Sequence, residues 1–338
     1  MSDHTTQPSP QLIFDTITAY QQTGAIKAAI EVDIFTAIGS GNHTANAIAT
    51  TVGAAERGVR ILCDYLTVIG FLTKQDSNYH LTQDSAIFLD KRSPAYLGSM
   101  IEFLLTADLT EAFSNLTAAV RKGGTLLGEH GTVSTENPVW VNFARGMASM
   151  AVMPGQAIVA LSRTEGASNL RVLDIAAGHG MYGIAFARQN PTAEVTALDW
   201  EPVLEVAKEN AKAAGVLDRF KTIPGSAFDA DFGSGYDIVL LTNFLHHFDP
   251  ATCETLLRKV HAALAPGGRA MTLEFVPNGD RVSPPNAAMF SLVMLATTPS
   301  GDAYTFGELD SMFEKAGFAR SELVELPASI QRLVISYK

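Results

Sequence analysis

The sequence predicts an α/β protein in which a doubly wound, mixed seven-stranded sheet follows a mostly helical N-terminal domain. Three observations favour this architecture. From Leu170 onward, short β-rich runs alternate with helical segments, as in the βαβ units of a doubly wound sheet. Before Leu170, apolar residues recur mainly at helical spacing. The chain of 338 residues is also longer than a single hydrophobic core usually accommodates, so we expect two domains, 1–165 and 166–338.

The first domain is expected to consist mainly of helices. Residues 12–38 carry apolar side chains at helical spacing, and Gly39 to Gly41 break the pattern. Residues 44–82 predict a helix, a turn, a second helix and a hairpin around Asp76 to Asn78, which is the outline of a winged helix. Between Gly41 and Ala95 the five basic residues only equal the five acidic ones, which argues against DNA binding. We interpret this domain as a packing or dimer-forming module.

Two apolar helical stretches follow, 95–121 and 138–161, on either side of a glycine-rich loop. In the second stretch Phe143, Met147 and Met150 are four and three residues apart, which predicts that they share one helical face. Such a stripe is usually core, but flexible methionines also suit irregular apolar ligands, so these residues are candidate ligand contacts. Arg145 could anchor an acidic ligand or lie at the surface.

The second domain contains five candidate strands and a terminal pair. Open α/β sheets bind their ligands at the carboxyl ends of the strands, so functional residues are expected there. The strands are RVLDIAA, AEVTALDW, FKTIPGS, YDIVLLTNF and RAMTLEFV, and the pair lies within ELVELPASIQRLVISYK.

Composition argues against several classes of partner. The formal net charge of −11 does not favour nucleic acid or an anionic membrane, because either would need a basic surface. The two cysteines, Cys63 and Cys253, lack metal-ligand spacing, and no metal site is expected. No apolar run reaches the roughly 18 to 20 residues of a membrane span, and the polar start lacks the apolar core of a signal peptide. We therefore expect a cytoplasmic protein with a small-molecule partner.

The segment VLDIAAGHGMYG, residues 172–183, predicts a nucleotide-like ligand. Gly178, Gly180 and Gly183 form a GxGxxG pattern, and glycines let the backbone approach a ligand closely. Asp174 lies four residues before Gly178, where a carboxylate would repel a pyrophosphate and attract the ammonium and sulfonium of S-adenosylmethionine. Asp199 ends the next strand and could accept the ribose hydroxyls of either S-adenosylmethionine or NAD. An NAD-dependent oxidoreductase is therefore an alternative, against which Asp174 argues.

The third strand is followed by GSAFD. Here Phe228 could pack on an adenine, and Ser226 could hydrogen-bond the edge of that base. Ordinary core packing is an equally good interpretation of Phe228. The segment adds a candidate adenine wall to the glycine loop.

As a set, the motifs resemble those of class I S-adenosylmethionine-dependent methyltransferases, and among them the small-molecule O-methyltransferases of the caffeic-acid and acetylserotonin type. The resemblance extends from about Gln11 to Lys338 and implies a Rossmann-like sheet, an N-terminal winged-helix dimerisation domain and a homodimer. Ala176 stands where this family has its first loop glycine. The motifs are IEVDIFTAI, LTVIGFLTKQDSNYHLTQDSAIFL, LDIAAGHG, NFLHHFDPATC, LAPGGR and YTFGELDSMFEKAGF. The candidate cofactor-binding residues are Asp174, Ala176, Gly178, Gly180, Asp199, Trp200, Ser226, Ala227, Phe228 and Asn243.

The resemblance also implies a general base. A sulfonium is already an excellent leaving group, so a methyltransferase mainly has to align the acceptor and remove its proton. His246 matches the family's general-base histidine, and neutral imidazole, with a reference pKa of about 6.5, suits a phenol or enol. Glu274 aligns with a family carboxylate that orients this histidine. His247 falls where the family usually has an acid, and we interpret it as a polar wall.

Two departures from the family pattern keep the acceptor atom open. The family's second helping glutamate falls at Ala303, and a basic residue often found four positions before the histidine falls at Thr242. Carbon or sulfur methylation is therefore an alternative to O-methylation, and a thioether would need no base. A helix over NAAMFSLVMLATTP is expected to close the pocket for a small, partly apolar acceptor. The candidate acceptor contacts are Phe143, Met147, Met150, His247, Met289, Phe290, Met294 and Tyr304.

An alternative from another class is a transcription regulator whose methyltransferase-like domain senses a ligand. It would need a basic recognition face on the winged helix. The balanced charges around Arg57 and Arg60 do not provide one.

Overall fold

The computed structural model describes residues 8–164, 167–327 and 329–338. The described residues form two compact units, one up to Ile101 and one from Glu102 to Lys338. The helices between residues 102 and 164, which the sequence-based division groups with the first domain, belong to the unit that contains the sheet. The predicted division at residues 165 and 166 lies outside the described residues and stays a prediction. Residues 1–7 of the polar start, MSDHTTQPSPQ, also lie outside the described residues.

The first unit contains a small helical core and a hairpin. Asp33, with a φ of 63°, separates its first two helices, both of which lie almost entirely within the region 12–38 that was predicted to be helical. Thr44 and Thr82 cap two later helices by accepting backbone N–H groups. The hairpin is antiparallel from Leu72 opposite Leu81 to Gln75 opposite Asn78, as predicted. The elements are α1 Gln11–Glu31, α2 Ile34–Gly39, α3 Ala45–Val52, α4 Glu56–Val68, β1 Leu72–Gln75, β2 Asn78–Leu81 and α5 Gln83–Phe88.

Short helices precede the sheet. The helical stretch predicted over 138–161 is divided in the structure, because α9 ends at Met147 and a 3₁₀ turn covers Ala148–Ala151. Pro154 lies in the first turn of α10, where its missing N–H is tolerated, so a new helix begins just before it. Met150 therefore does not continue the face that carries Phe143. The helices are α6 Ile101–Leu104, α7 Ala107–Ser114, α8 Leu116–Lys122, α9 Val139–Met147 and α10 Val152–Leu161.

The predicted seven-stranded mixed sheet is confirmed. Its strand order is β5-β4-β3-β6-β7-β9-β8, in which β9 runs antiparallel to β7 and β8 and the other neighbours are parallel. The strands are β3 Arg171–Ile175, β4 Glu194–Asp199, β5 Phe220–Pro224, β6 Tyr236–Thr242, β7 Leu264–Glu274, β8 Arg320–Glu325 and β9 Arg332–Tyr337. The helices are α11 Met181–Gln189, α12 Glu201–Ala213, α13 Pro250–Ala263, α14 Pro285–Thr297 and α15 Phe306–Lys315.

Helices cover both faces of the sheet. One apolar cluster includes Val172 and Leu240, and a second cluster on the other face includes Leu173 and Val239. Neighbouring residues of one strand enter different clusters because side chains alternate along a strand. The order in which the chain adds strands to the sheet reverses at β3, because β4 and β5 lie on one side of it and β6 and β7 on the other. Ligands bind at such switch points in open α/β sheets. Among the described residues, no helix is both long and apolar enough to cross a membrane.

Candidate active site

Five connections leave the parallel strands at one edge of the sheet. They begin with the glycine loop after β3, Asp199 at the end of β4 and the turn from Ser226 after β5. Asn243 follows β6, and Glu274 ends β7. Parallel strands place their carboxyl ends at a common edge, so most predicted site residues lie along it.

The glycine loop connects β3 to α11 through left-handed backbone positions. Gly178 and Gly180 have φ values of 57° and 71°, which glycine adopts without steric cost. Ala176 also has a positive φ, 53°, a conformation that costs energy for a residue with a Cβ. A Cβ at Gly178 would lie 3.3 Å from the ring of Phe143. The loop therefore leaves little room for side chains where a ligand would approach its backbone.

Asp174 is fully buried beneath this loop. One of its carboxylate oxygens, Oδ2, accepts the N–H of Gly183 at 3.0 Å. The other, Oδ1, is buried and has no hydrogen-bond partner among the described residues. Burial raises the pKa of Asp174 to about 8, and the nearby charge of Asp199 adds to the increase. A buried, unpartnered carboxyl oxygen is an acceptor available to a cationic donor.

Asp199 is held against the glycine loop. Its Oδ2 accepts the N–H of Gly178 at 2.8 Å, and its Oδ1 accepts the N–H of Trp200 at 2.7 Å. Burial raises the pKa of this carboxyl to about 6. Each oxygen keeps a further lone pair, so the fixed carboxylate can still accept hydroxyl groups. The Trp200 side chain packs with Val203 and Val206.

The turn after β5 carries the candidate adenine wall. The Oγ of Ser226 accepts the N–H of Phe228 at 3.1 Å, so this hydroxyl supports its own turn. Phe228 is partly exposed and meets Phe248 edge-on, with ring centroids 5.0 Å apart. Ala227 is buried. Asn243, with a φ of 56°, accepts a hydrogen bond from Gln331 through its Oδ1.

His246 and Glu274 form a buried pair. The Nδ1 of His246 lies 2.5 Å from Oε2 of Glu274, and both side chains are about 95 % buried. The other glutamate oxygen, Oε1, accepts the N–H groups of Phe244 and Leu245 at 3.0 and 2.9 Å. Glu274 therefore fixes both the imidazole and the backbone that carries it. This is the arrangement by which a carboxylate orients a basic histidine.

His247 lies beside this pair as an uncharged imidazole. It is buried, and its Nδ1 has no hydrogen-bond partner in the part of the chain that the structure describes. Burial and the neighbouring His246 hold the pKa of His247 well below its usual range. The rings of His246 and Trp140 lie 4.2 and 5.1 Å from it, centroid to centroid.

The predicted acceptor contacts have different surroundings. Phe290 meets the imidazole of His246 at a centroid distance of 4.8 Å and stacks on Phe275 at 3.9 Å. Tyr304 is buried, and its hydroxyl donates to the carbonyl of Phe248 at 2.5 Å. Met294 is buried and Met147 partly buried, whereas Met289 and Met150 are 62 % and 40 % exposed. The structure thus brings Phe290 to the imidazole of His246 but leaves Met289 and Met150 facing outward in the single chain.

Two further expectations concern charge. Arg145 pairs with Glu209 at 3.0 Å, and both side chains are more than half exposed. Of the two interpretations of Arg145, the surface one matches this placement. Ala303 is fully buried and carries no carboxylate, and the carboxylate that contacts the imidazole of His246 is that of Glu274.

The sequence-based selection missed His179 and Trp140. The Nδ1 of His179 accepts the N–H of Met181, its ring stacks on Phe143 at 5.9 Å, and burial lowers its pKa to about 4. The Nε1–H of Trp140 donates to the carbonyl of Thr132 at 2.9 Å. Both positions had a signal, since His179 lies between two loop glycines and Trp140 lies three residues before Phe143.

Family models match both parts of the chain. An O-methyltransferase dimerisation domain matches residues 14–91, and an O-methyltransferase domain matches residues 113–319. The second match covers more than half of the chain.

Curated relatives and solved structures agree with these matches. A 3-hydroxy-5-methyl-1-naphthoate 3-O-methyltransferase from Streptomyces sahachiroi is 28 % identical, with 91 % of this chain and 89 % of that protein covered. An L-tyrosine C(3)-methyltransferase from Streptomyces lavendulae is also 28 % identical, with 87 % and 82 % covered. A crystal structure assigned as an O-methyltransferase from Nostoc punctiforme is 55 % identical, with a TM-score of 0.95 over 98 % of this chain and all of that one. Human N-acetylserotonin methyltransferase in complex with S-adenosylmethionine has the same fold, with 20 % identity, a TM-score of 0.86 and 100 % and 99 % covered.

The predicted fold class, enzyme class and family resemblance are confirmed by these matches. The predicted cofactor is confirmed at the level of the family, which includes a protein named as S-adenosyl-L-methionine-dependent. The chain is a methyltransferase that belongs to the O-methyltransferase family, with that family's dimerisation domain at its N-terminal side.

Proposed function

We propose that this enzyme transfers the methyl group of S-adenosylmethionine to a hydroxyl group of a small, partly apolar acceptor, with His246 as general base. The contact between His246 Nδ1 and Glu274 Oε2 carries the proposal. An ionised carboxylate only accepts hydrogen bonds, so it places the imidazole proton on Nδ1 and leaves the lone pair of Nε2 for the acceptor's proton.

The described residues fit S-adenosylmethionine as the cofactor. The unpartnered Oδ1 of Asp174 would accept its ammonium group, and Asp199 would accept its ribose hydroxyls. Gly178 and Gly180 would let the backbone approach it, and Phe228 would pack on its adenine. When bound, it supplies a methyl group on a sulfonium, which is a good leaving group.

In the proposed reaction Nε2 of His246 takes the proton of the acceptor's hydroxyl. The bound cofactor would supply the methyl group to that oxygen and would leave as the neutral thioether S-adenosylhomocysteine. Glu274 stabilises the imidazolium that forms, and it is held for this role by the N–H groups of Phe244 and Leu245. Phe290 packs against the imidazole and limits the access of water. The neutral His247 adds no second positive charge beside the base and serves as a polar wall for the acceptor.

Methylation of a carbon atom beside a phenolic hydroxyl is a second candidate. It needs the same base, because the phenolate is the nucleophile. Two observations support carbon methylation as the second candidate. Ala303 carries no carboxylate, and the chain is similar to an L-tyrosine C(3)-methyltransferase. A thioether acceptor has no proton to remove, so the His246–Glu274 pair would have no catalytic role in its methylation.

We also propose that the enzyme is a cytoplasmic homodimer joined through the N-terminal unit. The match to a dimerisation domain over residues 14–91 supports the dimer. Cys63 and Cys253 are both free and buried, which agrees with a reducing compartment.

Replacement of His246 by alanine tests the proposal. Turnover of a hydroxyl acceptor should fall by about 100-fold or more, while calorimetric affinity for S-adenosylhomocysteine stays within about twofold. The exposed His130 offers a matched control, since His130→Ala should change neither quantity. Unchanged turnover in His246→Ala would overturn the base, and equal loss of turnover and affinity would show that His246 is structural. Analysis of the products from phenolic and thioether acceptors shows whether the methyl group is attached to the oxygen, to the carbon beside the hydroxyl or to sulfur.

A further inference from the structure

The ammonium group of Lys259 donates hydrogen bonds to several carbonyl oxygens of the turn that follows β5. Lys259 lies on α13, and its Nζ donates to the carbonyls of Ala227, Phe228 and Ala230 at 3.1, 3.0 and 2.6 Å. The same Nζ lies 4.6 Å from the centroid of the Phe232 ring. One side chain therefore ties this turn to the helix beside it.

The turn needs such a partner because it is a single helical turn that does not continue. The carbonyl of Ser226 accepts the N–H groups of Asp229 and Ala230, but the next carbonyls meet no backbone N–H among the described residues. An ammonium group has three donors, which equals the number of carbonyls it meets here. Hydrogen bonds from a charged donor are about twice as strong as neutral ones.

We propose that Lys259 is a positioning residue for the cofactor site. It fixes the turn after β5 and thereby holds the ring of Phe228 where it can pack on the adenine. The inference rests on the proposed function, in which Phe228 contacts the adenine. The ring of Phe228 also packs edge-on against Phe248, so its placement depends on the turn and on this neighbouring ring. The His246–Glu274 pair is fixed separately, through β7 and the backbone of Phe244 and Leu245.

Replacement of Lys259 by methionine keeps most of the apolar stem and removes the three donors. We expect the Kd for S-adenosylhomocysteine and the KM for S-adenosylmethionine to rise about tenfold. We expect kcat at saturating cofactor to stay within about twofold, because the pair that carries the base is untouched. Lys315 contacts the same helix through Glu254 and lies mostly exposed, so Lys315→Met is a matched control that should leave both constants unchanged.

A double-mutant cycle shows whether Lys259 acts through Phe228. If it does, Lys259→Met together with Phe228→Ala should bind S-adenosylhomocysteine as weakly as Phe228→Ala alone, whereas independent residues would give losses that multiply. Multiplying losses, or unchanged affinity in Lys259→Met, would overturn the inference. If Lys259→Met does not fold, Lys259→Gln replaces it in the same double-mutant cycle, and the same two outcomes apply. Failure of the wild-type protein to bind S-adenosylhomocysteine would overturn the proposed function instead, so the two failures are distinguishable.

Discussion

Glu274 binds the imidazole of His246 through one carboxylate oxygen and the backbone that precedes that histidine through the other. This relationship follows from the sheet, because β6 and β7 are parallel neighbours with Thr242 opposite Leu273. The residue after each of these two positions therefore leaves the same edge of the sheet. The register of two strands thus places Glu274 beside the segment that leads from Asn243 to His246.

Replacement of Glu274 by glutamine should therefore reduce kcat strongly. The amide can present an N–H group to Nδ1 of His246, which favours the tautomer whose Nε2 carries the proton and cannot act as a base. We expect kcat for a hydroxyl acceptor to fall by about 10²- to 10⁴-fold. Steady-state kinetics with saturating cofactor measure this loss. Glu325→Gln, at an exposed position of β8, is the control, and a kcat for Glu274→Gln near that of the control would refute the orienting role.

Replacement of Asp199 by alanine should weaken cofactor binding. The change removes the acceptor proposed for the ribose hydroxyls and also the carboxylate that holds the N–H of Gly178. Hydrogen bonds to charged groups are worth about 1.5–3 kcal/mol, so we expect the Kd for S-adenosylhomocysteine to rise about 10- to 100-fold. Calorimetric titration measures it, with the exposed Asp218→Asn as control. Titration of the wild-type protein with NAD completes the test, and tight binding of NAD alone would favour the dinucleotide alternative.

Replacement of Asp174 by asparagine should stabilise the free enzyme as the pH rises. The folded-state pKa of Asp174 is raised from 3.8 to about 8, so folding takes up a proton between these values. The stability from this group is present below pH 4 and is lost as the pH approaches 8. Asparagine carries no such dependence, yet its amide oxygen can still accept the N–H of Gly183.

Thermal unfolding of both proteins at pH 5 and pH 8 checks this prediction. Linkage from a folded-state pKa near 8 amounts to about 4 kcal/mol between these two pH values, so the Tm of Asp174→Asn relative to wild type should increase by roughly 5 °C. Asp76→Asn, in the exposed turn of the hairpin, should follow the wild type. A constant difference between Asp174→Asn and wild type would show that Asp174 is ionised in the folded protein throughout this range.

Among the predicted site residues, the sequence predicted best where those at the strand ends lie. Asp174, Asp199 and Glu274 each lie within or end a short apolar run, and the parallel sheet brings such ends to one edge. Helix faces were predicted less well. The break after Met147 depends on where the chain accommodates Pro154. The outward position of Met289 depends on the rotation of α14 about its axis, and a helix with apolar residues on all sides gives no sequence pattern that defines this rotation.

Contacts between segments distant in sequence were not predicted. Lys259 meets the turn of Phe228 some thirty residues away, and the intervening chain gives no signal of this approach. The grouping of residues 102–164 with the sheet unit is of the same kind, because apolar helices alone do not indicate which core they join. Such contacts depend on tertiary packing.

The N-terminal helix α1 should carry the dimer interface. It leaves five large apolar side chains exposed in the single chain, which in a stable protein marks a surface that another chain covers. We expect light scattering at micromolar concentration to give twice the chain mass of 36.1 kDa. Phe14→Asp together with Ile17→Asp should reduce this to the mass of one chain. The exposed side chains are Leu12, Ile13, Phe14, Ile17 and Tyr20.

Val68 provides the matched control for this experiment. It is an apolar residue of the same unit, on α4, and is 83 % exposed. Val68→Asp adds the same kind of charge outside α1, so it should leave the dimer intact and show that charge alone does not separate the chains. A wild-type protein with the mass of one chain would contradict the dimer. Dissociation by Val68→Asp but not by the α1 variant would move the interface to α4.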